Sequence, residues 1–86
     1  MNSNHRMDQP LFDRVRGIAA DVFQLDSASL AADSSPETIE VWDSVQNLNL
    51  VLALEAEFGC EFAPEEMDQM KTIGQIANVA AAKRNV

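Results

Sequence analysis

A chain of 86 residues, 47% hydrophobic and 23% charged, is enough for one folded domain, too short for two cores and too apolar to stay disordered. At roughly 0.05 to 0.15 kcal/mol per residue its stability is about 4 to 13 kcal/mol, and a domain this small has little room for a deep catalytic cavity. The net charge is −8, with 12 of the 14 acids and no Lys or Arg between Gly17 and Met70, which disfavours nucleic acid and anionic lipid and favours partners that carry Lys/Arg patches.

Residues 1 to 7 are polar and without period and read as a flexible tail, with the folded domain running from 8 to 84. Residues 9 to 24 place Leu11, Val15, Ile18 and Val22 on one face, flanked by Phe12, Ala19 and Phe23, the spacing of an amphipathic helix with Pro10 in its first turn and Asp8 as cap. From Asp26 to Trp42 the composition turns to Ser, Ala, Asp and Pro. A connection of that length in so small a domain must be anchored or functional, and Leu30, Ile39, Val41 and Trp42 are the expected anchors while Ser34-Ser35-Pro36 turns outside.

A second helix is expected from Ser44 to Phe58, with Asp43 and Gln46 as a capping box and Gly59 as the left-handed residue that ends it. Its apolar residues cover more than one stripe, so it is either central in the bundle or lends apolar surface to a ligand or partner. Val45, Leu48 and Leu52 read as bundle core on the first view and as a ligand-pocket or partner contact on the second, with Ile39 and Trp42 placed to close that space. After Cys60 and Phe62, Ala63-Pro64-Glu65-Glu66 opens a short third helix to about Met70, and Thr72 with Gln75 opens a fourth along Ile73, Ile76, Val79 and Ala80, with Lys83 and Arg84 at its negative end. No stretch demands a strand. The expected fold is all-α, a four-helix bundle of three main helices plus one short helix, with a long loop between the first two.

Little in the chain looks chemical. The single cysteine, Cys60, excludes an internal disulfide framework and reads as a small buried apolar residue; the single histidine, His5, lies in the tail. Zinc spacing is absent, and Asp26-Ser27-Ala28-Ser29 lacks the alternating acids, Gly and Glu of a calcium loop, so no metal is expected. With no secretion signal at the start and no apolar run near the 18 residues of a membrane span, a cytoplasmic monomer is expected.

The exception is Asp43-Ser44-Val45, which puts a serine hydroxyl in the first turn of a helix within an acidic surface. Plain helix capping explains Asp43 and leaves Ser44 incidental. The wider pattern weighs the other way: Trp42-Asp43-Ser44-Val45, Leu54-Glu55-Ala56-Glu57-Phe58-Gly59, the Glu65-Glu66 turn and Thr72-Ile73-Gly74-Gln75-Ile76 together resemble the acyl carrier protein family, in order and spacing, from about Leu11 to Lys83. The resemblance implies that family's four-helix bundle. It also implies that 4′-phosphopantetheine, taken from coenzyme A, is joined through a phosphodiester to Ser44 and holds acyl or aminoacyl groups as thioesters on its terminal thiol.

The implied partners are a phosphopantetheinyl transferase and acyl- or aminoacyl-loading and acyl-transferring enzymes with basic patches. The chain itself is expected to catalyse nothing, since a serine nucleophile needs an adjacent base and none is near; Asp43 caps the helix and presents the serine. An attached phosphate would lie at a helix N-terminus, where free N–H groups favour an anion. Two departures stand out. Val45 replaces the usual Leu, and neutral Gln46, Asn47 and Asn49 follow the serine where fatty-acid carriers place acids, so docking to the common fatty-acid enzymes should be weaker and a specialised carrier is expected. An aminoacyl or peptidyl carrier serving an adenylating ligase, and a cofactor-free acidic helical adaptor, are the alternatives.

Overall fold

The computed structural model describes residues 9–84 and contains α1 (Gln9–Phe23), a 3-10 turn (Ser27–Ser29), α2 (Ser44–Phe58), α3 (Pro64–Met67) and α4 (Ile73–Arg84), with no strand among the described residues. The expected tail over residues 1–7, the cap Asp8 and the histidine His5 lie outside the described residues. The core joins Leu11, Val15, Phe23, Leu30, Trp42, Leu50, Leu54, Phe62, Ile73 and Ile76 with the small residues Ala19, Ala77 and Ala80.

The buried face of α1 is turned from the expected one. Leu11, Phe12, Val15, Ala19, Ala20 and Phe23 are buried, whereas Ile18 and Val22 are only half-buried. The cause is that α1 packs against both α2 and α4, so two flanks must be apolar and the alanines let the partners approach. Gln24 ends the helix with φ 59, its own N–H donating to the Asp21 carbonyl (3.3 Å) and the Leu25 N–H to that of Ala20 (2.9 Å), a Schellman pattern. Glycine is the usual residue there, so composition carried no signal for it.

The long loop is anchored, but by other residues than expected. Leu30 and Trp42 are buried and Ile39 half-buried as read from the sequence, while Val41 is 42% exposed and Ser34, expected outside, is buried. The reason lies in α4, whose first N–H groups need acceptors. The Ile73 N–H donates to the Ser34 carbonyl (3.1 Å) and the Gly74 N–H to that of Ala32 (2.8 Å), while the Ser34 hydroxyl accepts from the Ala31 N–H (2.8 Å). Backbone from the loop thus caps a helix nearly forty residues further on.

Both expected capping boxes form in altered shape. Asp43 accepts from the Gln46 N–H (2.9 Å), but the Gln46 side chain accepts from Asn49 (3.1 Å) and the Asp43 N–H donates to the Val41 carbonyl (3.0 Å). Thr72 Oγ1 accepts from the Gln75 N–H (3.1 Å), and Gln75 Oε1 accepts from Lys71 (3.0 Å) and not from Thr72. Gly59, φ 63, ends α2 as expected, its N–H donating to the Glu55 carbonyl (2.8 Å).

α3 stops at Met67, short of the expected Met70, and buries no residue of its own. Phe62 and Met70 on either side of it are buried, and Glu66 ties it down by accepting from the Ala63 N–H (2.7 Å) and from Lys83 Nζ of α4 (2.9 Å). The Ala63 N–H first, and then Lys83, hold the Glu66 carboxyl below the usual carboxylate range. A depressed folded value stabilises the fold fully above the unfolded carboxylate pKa and loses that stabilisation as pH falls through the folded one. Denaturation midpoints measured between about pH 6 and about pH 3 should therefore fall more for the native chain than for Glu66→Gln. Parallel curves would remove the pair from the account of stability.

Charge is unevenly compensated. Arg14 pairs with Glu57 and lies over the Phe58 ring (4.9 Å), and Arg16 reaches Asp13 (3.4 Å), but Asp33, Glu37, Glu40 and Asp43 face no cation in an ion pair among the described residues. Screening should relieve the mutual repulsion of these acids. The melting midpoint is expected to rise with added salt, and a midpoint that stays put would show the repulsion to be negligible.

Candidate functional site

Ser44 is the first residue of α2, exposed, directly after the cap Asp43. Asp43 has extended backbone (φ −97, ψ −172), its side chain accepting from Gln46 and its carbonyl from the Asn47 N–H (2.8 Å). Of the four N–H groups that precede the first intrahelical bond, that of Gln46 donates to the Asp43 side chain and that of Asp43 to the Val41 carbonyl, while those of Ser44 and Val45 donate to nothing among the described residues. The Ser44 hydroxyl likewise has no partner among them.

What fixes the serine in place is behind it. Trp42 is 1% exposed, its ring packs against Phe23 (centroids 5.2 Å apart, 39° between planes), and its Nε1–H donates to Asn47 Oδ1 (2.9 Å). The loop end is thus clamped to the first turn of α2 from below, and the next two side chains, Asp43 and Ser44, face outward.

In front of Ser44 an open groove of about 920 Å³ runs between the loop, the start of α2 and the α3–α4 link. Trp42, Asp43, Ser44 and Asn47 form one wall, Pro36 and Thr38 another, and Met67, Met70, Lys71 and Thr72 a third. The sequence-predicted residues divide here. Ser44, Asp43 and Trp42 line the groove; Ile39 is packed against the core; Val45, Leu48 and Leu52 lie on the outer face of α2, 68%, 58% and 54% exposed. The bundle-core alternative for those three is therefore corrected: α2 buries Leu50, Val51 and Leu54, and one helix against one neighbouring layer has no second core to fill.

Met67, Met70, Lys71 and Thr72 were not anticipated near the serine, because only the fold brings them to it. Lys71 alone had a signal, as the one cation between Gly17 and Ala82. Cys60 is half-buried, and that burial pushes its thiol up, with Lys83 opposing. An elevated thiol pKa makes a poor nucleophile near neutral pH. Among the described residues no group of acids, His or Cys could hold a metal ion, and no helix is long and apolar enough to cross a membrane.

The arrangement can accept a covalently attached anionic group. A hydroxyl and two N–H groups without partners among the described residues stand at a helix N-terminus where the dipole favours negative charge, and a groove lined by apolar residues, one cation (Lys71) and three acids (Asp33, Glu37, Asp43) begins beside them.

Comparison with known proteins gives the same direction. A family model described as a phosphopantetheine attachment site matches residues 13–80. The acyl carrier protein of Petrotoga mobilis is 30% identical over 76 residues, 88% of this chain and 89% of its own length. That of Clostridium acetobutylicum is 31% identical over 72 residues, 84% of this chain and 94% of its own. The solution structure of a holo acyl carrier protein from Geobacter metallireducens superposes with a TM-score of 0.78 at 32% identity, covering 86% of this chain and 85% of that one.

Proposed function

The chain belongs to the acyl carrier protein family, and on that premise we propose that Ser44 is the residue that bears its prosthetic group. The function is that of an acyl carrier protein, and the group is 4′-phosphopantetheine, whose terminal thiol holds the acyl cargo as a thioester. A cofactor-free helical adaptor, considered from the sequence, is not favoured by a match to a phosphopantetheine attachment family.

The observation that carries the assignment to Ser44 is its exposed hydroxyl at the start of α2 beside the groove, without a partner among the described residues. Ser34 is buried with its hydroxyl accepting from Ala31, and the Ser35 hydroxyl accepts from the Glu37 N–H (3.2 Å). Asp43 positions Ser44 through its cap, the Ser44 and Val45 N–H groups receive the phosphate charge, and Lys71 across the groove offsets the surrounding acids. Activation of the hydroxyl belongs to the phosphopantetheinyl transferase, since the one adjacent carboxylate is engaged as the cap. In this reading the chain catalyses nothing itself and works as a cytoplasmic monomer, with residues 8–84 as the carrier domain, among enzymes that load and unload it.

Incubation with coenzyme A and a broad-specificity transferase tests the assignment. Intact mass should rise by one phosphopantetheinyl group, and peptide mapping should place it at residue 44. A gain at another serine, or no gain, refutes it.

A further inference from the structure

The two lysines of the chain lie in unlike surroundings. Lys83 Nζ is held by both carboxylate oxygens of Glu66 (2.9 and 3.2 Å), and Arg14 and Arg16 each reach a carboxylate of their own. Lys71 is exposed, and its ammonium has no hydrogen bond or ion pair among the described residues, although Asp33, Glu37 and Asp43 line the same groove. Its backbone, by contrast, is fixed, the N–H donating to Gln75 Oε1 (3.0 Å) at the start of α4.

If offsetting charge were its whole duty, this ammonium would rest on one of those acids, as the other cations do. A primary amine on a flexible four-carbon stem is also a nucleophile, because the fraction that is neutral carries a free electron pair. What it meets in this groove is set by Ser44, which lines another wall of it. A pantetheine arm is about as long as four extended residues, roughly 14 Å, so a thioester tethered at Ser44 can swing through the groove in which Lys71 stands. We infer that Lys71 is a site of self-modification, its amine taking the acyl group from the chain's own thioester.

The inference rests on Ser44 as the attachment point. Lys71 Nζ bonds to the carbonyl carbon of the thioester, the C–S bond breaks with its electron pair leaving on sulfur, and the proton released by nitrogen ends on that sulfur. An amide forms and the arm returns to its free thiol, so no oxidant or further reactant is consumed. Tethering supplies the rate: a short flexible link gives an effective concentration in the millimolar range, about a hundredfold above a protein solution of about 10 µM. Lys83 lacks this advantage, since it lines no part of the groove and its nitrogen is committed to Glu66. Acylation also removes the one cation of the groove and leaves its three acids unopposed, so a spent carrier differs from a fresh one in charge.

In the test, the full chain is loaded from hexanoyl-coenzyme A by a broad-specificity transferase, freed of the donor by gel filtration and held at about pH 8, where more of a lysine amine is neutral than lower down the scale. Hydroxylamine then strips thioesters and spares amides, and peptide masses locate the acyl group. Hexanoyl amide should accumulate at Lys71, about tenfold or more ahead of Lys83, with a first-order rate that dilution by about tenfold leaves unchanged. Isotope-labelled Ser44→Ala, mixed in as an acceptor without an arm, should gain amide at Lys71 about a hundredfold more slowly.

Equal acylation of Lys71 and Lys83, equal rates in the loaded chain and in the armless acceptor, or a thioester that hydrolyses with Lys71 unmodified overturns self-modification while attachment at Ser44 still stands. A native chain that takes up no hexanoyl-pantetheine at Ser44 removes the attachment reading itself, and this inference with it.

Discussion

Alanine at position 44 is expected to abolish loading outright and to leave the fold intact. No other atom can replace Oγ in the phosphodiester, so the effect on attachment is complete, not graded. For stability the opposite holds. The side chain is exposed, its hydroxyl has no partner among the described residues, and alanine is the best residue for a helical position, so Ser44→Ala should shift stability by about 0.5 kcal/mol or less. The two measurements are intact mass after incubation with transferase and coenzyme A, and a denaturation midpoint. Persistent loading would move the attachment elsewhere in the chain. A loss of about 2 kcal/mol or more would show that the hydroxyl has a structural duty the geometry does not reveal.

Trp42→Ala should do the reverse, leaving the hydroxyl present and undermining what holds it. Truncating a fully buried aromatic costs about 3 to 5 kcal/mol, against a total of about 4 to 13 for a domain of this length, so the variant should be partly unfolded at 37 °C. The midpoint should fall by more than about 12 °C, at about 4 to 8 °C per kcal/mol for a domain of this size. Trp42→Phe separates the causes. It keeps a ring beside Phe23 and deletes the donor to Asn47, and because Asn47 is only half-buried its carbonyl can turn toward water, so about 1 kcal/mol is expected. If Trp42→Ala melts like the native chain, the clamp between the loop and α2 is not what presents Ser44.

Much of the site was legible because its determinants are local. Asp43 as cap, Ser44 as first helical residue and Gly59 as terminator follow from short-range hydrogen bonding and φ preferences, and all three appear as read. Four helices with a long first connection follow from periodicity and punctuation in the same way. Misreadings occurred where a choice between equivalent local options depends on a distant neighbour. Val41 and Trp42 are adjacent apolar residues, and which one turns inward is decided by Phe23 and Asn47, contributed by two different helices. Ser34 reads as a turn residue until α4 is placed against it and its carbonyl becomes the acceptor for Ile73. Gln24 in the left-handed region is imposed by the Schellman bonds, not by its own preference.

The same division runs through the function. A hydroxyl of the right kind at the head of a helix whose first three turns are uncharged and largely apolar, in a chain whose middle carries only negative charge, is a property of residue order, because a helix cap and a net charge need no partner from afar. Where the groove lies, that Met67, Met70 and Lys71 wall it, and that Val45, Leu48 and Leu52 look outward while Leu50, Val51 and Leu54 look inward, was settled only by packing. An all-round apolar helix has several faces of nearly equal hydrophobicity, and the one that is buried is the one its neighbours can reach.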